Sequence, residues 1–151
     1  MYSLEQLNDI EEIRQLKARY FRLMDTKQWQ QWRSIFADDI ELNVDLTVPD
    51  AEGNILKRPT VHGLDNVIAD VSTTLAYFRT VHHGHMSEIT LQSATSANGI
   101  WAMEDIVESD NGKLQGYGHY HETYTKIDGQ WRIKSLHLTR LRLDVSGEFA
   151  Q

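Results

Sequence analysis

The sequence predicts an α+β domain, with three helices gathered in its first half and an antiparallel meander of strands in its second. Three observations carry that expectation. One apolar stripe, Leu4, Leu7, Ile10, Ile13, Leu16, Tyr20 and Leu23 or Met24, recurs every three or four residues, the spacing of one helix face. From Thr80 onward, long stretches that read as strands are divided by Asn111-Gly112 and Asp128-Gly129, dipeptides that favour hairpin turns. The composition, 40% apolar and 25% charged over 151 residues, is that of a globular chain long enough for a full core, so residues 1–151 read as one domain.

The elements follow in order. Ser3 and Gln6 form the pattern of a capping box before the first helix. Its acidic residues Glu5, Asp9, Glu11 and Glu12 fall in the first half, where the helix dipole favours them. The stripe persists to about Met24, and Asp25-Thr26 offers a break. Thr26 is then a cap for a second helix, over about Gln28 to Phe36, which aligns Trp29, Trp32 and Phe36. Asp38-Asp39 ends that helix, and a strand from Ile40 to Val44 follows. The stretch from Asp45 to His62 holds both prolines, Pro49 and Pro59, with Gly53 and Asn54, and reads as a hairpin-like excursion within the domain. A third helix is expected from about Leu64 to Phe78, burying Leu64, Val67, Ile68, Val71 and Leu75. Strands over Thr80–Leu91, Gly99–Ser109, Leu114–Ile127 and Gln130–Leu143 complete the domain, and a short polar tail begins at Asp144. Helices packed on one side of a curved sheet would enclose a pocket, a common place for a small-molecule site. Strand alternation leaves open which face is concave.

Composition removes several classes of function. With no cysteine there is no disulfide, no thiolate nucleophile and no cysteine-ligated metal. Fifteen Lys and Arg against 22 Asp and Glu give a net charge of −7, which argues against a nucleic-acid partner. No apolar run is long enough to span a membrane, and the opening MYSLEQLNDIEEIRQ is too polar for a signal peptide, so a cytoplasmic domain is expected. Dinucleotide, P-loop, serine-hydrolase and zincin motifs are all missing. Seven histidines in 151 residues are the unusual feature.

Titratable groups gather in three places. Tyr20 lies on the apolar stripe and Asp25 at its end. Five residues of helix is about 500°, so the two diverge by roughly 140° unless the helix ends between them. A carboxylate at the end of an apolar stripe is either a solvated or capping residue or a buried group with a role. The second place is Thr80-Val81-His82-His83-Gly84-His85, where a strand would point His82 to one face and His83 and His85 to the other. Histidine is the natural general base near neutral pH. The third is Gly116 to Tyr124, in which His119 and His121 share one face and Tyr120, Glu122 and Tyr124 the other. Asp105, Arg140 and Arg142 add charge from neighbouring strands, and an arginine there could hold a carboxylate or a developing enolate. Glu122, Lys126, Arg132 and Lys134 read instead as a laced sheet surface. The pairs His83-x-His85 and His119-x-His121, with Glu88 and Glu122 nearby, also suit a metal if their strands are neighbours.

Several segments together resemble one family: Ile13-x-x-Leu16-x-x-x-Tyr20-x-x-x-x-Asp25, Trp32-x-x-Ile35-Phe36-Ala37-Asp38-Asp39, His82-His83, Gly99-Ile100-Trp101-Ala102-Met103-Glu104-Asp105, Gly116-Tyr117-Gly118-His119-Tyr120 and Asp128-Gly129-x-Trp131-Arg132-Ile133. From about Leu7 to Leu143 the chain is similar to the SnoaL-like branch of the nuclear transport factor 2-like superfamily. The resemblance implies a cone, a strongly curved mixed sheet wrapped around helices with a deep apolar pocket. Members include scytalone dehydratase, bile acid 7α-dehydratase, hexachlorocyclohexane dehydrochlorinase, ketosteroid isomerase, limonene epoxide hydrolase and polyketide cyclases. The eliminating and isomerising members need no metal or organic cofactor.

Carried over residue by residue, the resemblance implies a catalytic dyad of His82 and Asp25, with Tyr20 as a hydrogen-bond donor. It implies Asp105 as a further pocket acid and Arg140 as the arginine near the last strand. Trp101, His83, His119 and His121 are the remaining candidates to line a substrate pocket. Tyr20 stands where the dehydrochlorinase has a lysine, and no cysteine precedes His82, which favours a hydroxylated substrate over a halogenated one. The expectation is a cofactor-independent dehydratase or isomerase acting on a hydrophobic ring compound, a steroid, terpenoid or polyketide, in a self-associating dimer or trimer. The alternatives are a noncatalytic binding or assembly module of the same fold, in which Asp25 and His82 do not meet or side chains fill the cavity, and a His-ligated metal enzyme.

Overall fold

The structure, a computed structural model, describes residues 1–150. It has three α-helices and one six-stranded mixed sheet. They are α1 (Leu4–Asp25), α2 (Trp29–Trp32), β1 (Phe36–Val44), β2 (Val61–His62), α3 (Leu64–Thr74), β3 (Arg79–Leu91), β4 (Ser96–Ser109), β5 (Gly112–Ile127) and β6 (Gln130–Gly147). The strand order is β2-β1-β6-β5-β4-β3. β1 runs parallel to β6 and all other neighbours are antiparallel, so the sheet stays open with β2 and β3 at its edges. This is the α+β fold that the sequence predicts.

α1 lies across the inner face of the sheet. Ile13, Leu16, Tyr20, Leu23 and Met24 on its stripe meet Tyr120, Tyr124, Ile133 and Leu136 from the strands in one core cluster. Its start is the expected capping box: the Ser3 hydroxyl accepts from the Gln6 amide, and the Gln6 side chain accepts from the Ser3 amide. Such a cap stabilises a helix by about 1 kcal/mol. Thr26 caps the end of α1 and does not begin α2. Its hydroxyl donates back to the Arg22 carbonyl, and the N-cap position of α2 is Gln28.

The second helix is much shorter than its aromatic spacing predicts. α2 is one turn and passes through a 3-10 turn, Arg33–Ile35, into β1, with Phe36 already extended. Phe36 and Ala37 are buried in the strand, and Asp38-Asp39 lie within it as two successive exposed residues. The register shift between Phe36 and Glu41 absorbs them as a bulge. Trp32 is held by its indole N–H donating to the Tyr20 carbonyl at 3.1 Å. Tertiary packing thus overrides a helical pattern that was real only for one turn.

The third helix ends four residues early, at Thr74, where the chain tightens into three-residue turns: the Ala76 amide donates to the Thr73 carbonyl and the Phe78 amide to that of Leu75. Lys27, at φ 55°, aims its ammonium at the Leu75 and Phe78 oxygens, at 2.7 and 2.6 Å. The polar tail is not loose either. Asp144–Gly147 continue β6 against β5, and the following turn places Phe149 on Phe78 with ring centroids 5.4 Å apart. Asp128 and Gly129 form their hairpin turn with φ 50° and 76°. The other hairpin turns on Asp110-Asn111, without positive φ. Gly112 is already strand, and the left-handed residue is its cross-strand neighbour Gly147, φ 62°, where a Cβ would overlap the Asn111 carbonyl. The excursion from Asp45 to His62 folds back as expected, through the Asp45–Lys57 bridge and the pairing of β2 with β1. No helix among the described residues is long and apolar enough to cross a membrane.

Candidate active site

The end of α1 and the start of β3 meet over one carboxylate. Asp25 is the last residue of α1, and Thr80 and His82, two apart on β3, face it together. Asp25 Oδ1 accepts from the Thr80 hydroxyl at 2.9 Å and lies 2.6 Å from His82 Nδ1. Asp25 Oδ2 accepts from the His82 amide at 2.8 Å. One strand therefore holds both oxygens, through backbone as well as side chains. A carboxylate accepts only, so His82 carries its proton on Nδ1 and leaves the Nε2 lone pair free. The His82 side chain is 7% exposed and that of Asp25 20%.

His82 lines two spaces. The inner one, about 510 Å³, lies between α1, α3 and the concave sheet. Apolar residues such as Leu42, Val71, Leu75, Val107 and Phe149 make most of its wall, and Tyr20, Tyr120, Asp105 and Arg140 supply the polar part. The outer one is a cleft of about 890 Å³ between α1 and the edge strand β3, lined by Asp25, His82, His83, Phe21 and Trp101 among others. α1 stays helical through Asp25, so Tyr20 and Asp25 do diverge. Tyr20 reaches the inner cavity and Asp25 the outer cleft, and His82 joins the two.

Burial raises the phenol of Tyr20 far above its ordinary range, with Glu122 adding to the effect. Tyr120 is raised in the same way, by burial first and then by Tyr20. Both therefore remain neutral donors. Their rings meet edge to face, 6.0 Å between centroids. Deeper in the cavity Arg140 grips Asp105 with both terminal nitrogens, at 2.6 and 2.9 Å. Gly116 lies opposite Asp105 on β5, where any Cβ would overlap Arg140 Nη1 and Asp105 Oδ1, so the glycine makes room for the pair.

His119 and His121 lie elsewhere. The face of β5 that turns inward carries Tyr120, Glu122 and Tyr124, all buried. His119 and His121 share the outer face with His137, with ring centroids 6.1 and 6.3 Å apart along the row, and line neither space. The cause is the two-residue period of a strand: the larger aromatic set takes the core, and its alternates take the outside. The pairs His83-x-His85 and His119-x-His121 do not meet, since β4 separates β3 from β5. No group of three or more His, Asp or Glu among the described residues is placed to hold a metal ion.

Glu122 is not part of a laced surface. It is fully buried and paired with Lys17, also fully buried, and it accepts from the Tyr124 hydroxyl, which accepts from the Trp101 indole at 2.8 Å. The Lys17 ammonium sits between the Tyr20 and Tyr120 rings, 3.9 and 3.7 Å from their centroids. Burial pulls its pKa down to about 8 against the opposing pull of Glu122. Sequence reasoning missed Lys17, although its position was legible: it falls on the buried stripe, four residues after Ile13 and three before Tyr20. Of the expected lacing Lys134 alone pairs across strands, with Asp39 of β1, while Arg132 bonds Gln130 on its own strand and Lys126 reaches the buried Asp9 of α1.

The model of the SnoaL-like domain family matches residues 5–137. The cyclase-like protein FGR4 of Gibberella zeae is 23% identical over 137 residues, 85% of this chain and 89% of that one. A scytalone dehydratase-like protein from Novosphingobium aromaticivorans superposes with TM-score 0.79 at 22% identity, covering 93% of this chain and 89% of its own. A hexachlorocyclohexane dehydrochlorinase from Novosphingobium barchaimii superposes with TM-score 0.76 at 21% identity, covering 96% and 94%.

Proposed function

We propose, from the premise that this chain belongs to the SnoaL-like domain family, that it is a lyase or isomerase working by acid–base chemistry of its own side chains on a hydrophobic ring compound. One observation carries the reading: a histidine that lines an open apolar cavity has its Nδ1 fixed 2.6 Å from a carboxylate that the same strand holds by two further hydrogen bonds. That is the base–orienter arrangement of general base catalysis. The dehydratase, dehydrochlorinase and cyclase names among the similar proteins support the lyase class.

In this reading His82 Nε2 takes a proton from the carbon next to a carbonyl. Asp25 stabilises the imidazolium that forms. Tyr20 donates to the carbonyl oxygen as charge develops there, in a cavity whose apolar wall strengthens the contact. The imidazolium then returns its proton, either to a leaving hydroxyl, which departs as water, or to another carbon of the conjugated system. The first outcome is dehydration and the second isomerisation, so one residue serves as base and then acid. The noncatalytic reading requires Asp25 and His82 apart or the cavity filled. Their 2.6 Å contact beside an open 510 Å³ favours the enzyme.

The test is proton abstraction itself. Exchange of α-protons of cyclic ketones in D₂O, followed by NMR, needs no knowledge of the natural substrate. His82→Ala and Asp25→Asn are each expected to lower exchange about 10²- to 10⁴-fold while near-UV circular dichroism stays native. Full activity in either variant would refute the dyad.

A further inference from the structure

The inner cavity has cations in its wall, yet none is free. Arg140 is held by Asp105 through both terminal nitrogens, with side-chain exposures of 7% and 4%. Arg58, nearer the mouth, is held by Asp70 at 2.6 Å. Asp25 adds a negative charge directly behind His82. A carboxylate entering this space would meet two neutralised arginines, with the Asp25 charge behind the His82 ring. The Arg140–Asp105 pair is also built into the backbone, because Gly116 leaves it the volume that a side chain would take. One donor is left over: Arg140 Nε is buried and has no partner in the protein. That donor is closed off from the cavity as well as from the solvent, so the guanidinium has no free, accessible edge to offer a ligand anion.

From this we infer that Asp105 is a specificity-determining residue, which by occupying both terminal nitrogens of Arg140 closes the cavity to carboxylates and leaves it to uncharged, oxygen-bearing ring compounds. The inference rests on the reading of the inner cavity as the substrate site. It departs from the simplest expectation for an arginine in such a place, that it holds a substrate anion, because the geometry gives that anion site to the protein's own carboxylate.

Two probes with one ring system and different charge test it: 2-naphthol and 2-naphthoate, measured by equilibrium binding at pH 7. The native protein is expected to bind naphthol at least about ten-fold more tightly than naphthoate. Asp105→Asn frees the guanidinium, and naphthoate is expected to gain about ten-fold or more, reversing the order. Asp105→Glu keeps the charge and is expected to retain the native order. A purely structural role for Asp105 would weaken both probes alike and leave their ratio unmoved. Equal or tighter naphthoate binding by the native protein, an unchanged ratio in Asp105→Asn, or no binding of either probe overturns the inference. If Asp105→Asn does not fold, the native ratio and Asp105→Glu still decide. These readouts are independent of turnover. Failure of the dyad in the exchange assay leaves them standing, and their failure leaves the dyad untouched.

Discussion

Replacing Lys17 with methionine isolates what the buried charges contribute. The substitution keeps the length and most of the volume of the side chain and removes the ammonium. Lys17 and Glu122 have no exposed side-chain surface, so Glu122 would be left as an uncompensated charge in the core. The Tyr124 hydroxyl would be its remaining donor. Breaking such a pair from one side costs about 3–5 kcal/mol. The lost cation–π contacts with Tyr20 and Tyr120 add to that, and sulfur–aromatic contacts from methionine return about 0.3–1.5 kcal/mol. The net expectation is about 4 kcal/mol, which for a domain of this size lowers Tm by roughly 8–16 °C. Lys17→Met/Glu122→Gln removes both charges and leaves Tyr124 a partner, so it should recover at least half of the loss. Urea and thermal unfolding of the two single variants and the double variant, followed by circular dichroism, give the coupling energy. A Lys17→Met penalty under about 1 kcal/mol, or a double variant no more stable than Lys17→Met, would refute the account.

Other consequences follow from the same contacts. Thr80→Val removes one of the hydrogen bonds that fix Asp25 and should cost about 1 kcal/mol of stability. In the deuterium-exchange assay it should slow turnover less than Asp25→Asn does, and an equal or larger loss would mean that Thr80 itself takes part in the chemistry. Gly116→Ala drives a methyl group into the Asp105–Arg140 pair, which should cost about 1–3 kcal/mol and disturb the naphthol–naphthoate ratio; a variant with native melting and native ratio would show that the pair has slack. The Lys17 ammonium titrates at about 8 in the folded protein, against 10.5 for an ordinary lysine. Between those values the unfolded chain holds more protons, so stability from this group rises as pH rises and is complete above 10.5. The urea midpoint of the native protein should therefore move further above that of Lys17→Met between pH 8 and 10, and a constant difference would contradict the assignment.

What the sequence made legible was local. The Ser3–Gln6 box, the stripe and the Asp128-Gly129 turn each specify their geometry within a few residues; the box and the turn formed, and the stripe is buried from Ile10 to Met24 but leaves Leu4 and Leu7 exposed. The second helix failed because its aromatic spacing, Trp29, Trp32 and Phe36, fits one helical turn as well as two, and only the parallel pairing of β1 with β6 decides between them. The third helix stops before its apolar pattern does by tightening into three-residue turns, and the Lys27 ammonium that meets the carbonyls beyond it comes from a different part of the chain. The His82–Asp25 pair was reachable through the family resemblance. Lys17–Glu122 spans 105 residues of sequence and has no local signature beyond a charge on an apolar stripe. The expectation that His119 and His121 line the pocket fails for a related reason: alternation separates two faces of a strand and cannot tell which one the helix covers.

Two buried ion pairs and the hydrogen-bonded His82–Asp25 pair have a feature in common that stability alone does not explain. Asp25 with His82, Lys17 with Glu122 and Asp105 with Arg140 all connect to the space around Tyr20 and Tyr120. Well-packed apolar residues would often stabilise a core as well or better than such pairs. What the pairs do instead is fix charge. One holds an imidazole in a single tautomer, one holds a cation against the faces of two phenols, and one cancels a guanidinium. Each hydrogen-bonded partner comes from a different secondary-structure element, α1 with β3, α1 with β5 and β4 with β6, so no pair can shift without moving the sheet against the helix or strand against strand. A cavity whose wall is backed in this way has its electrostatics set before any ligand enters, which is the condition under which a few donors and one base act strongly on a neutral molecule.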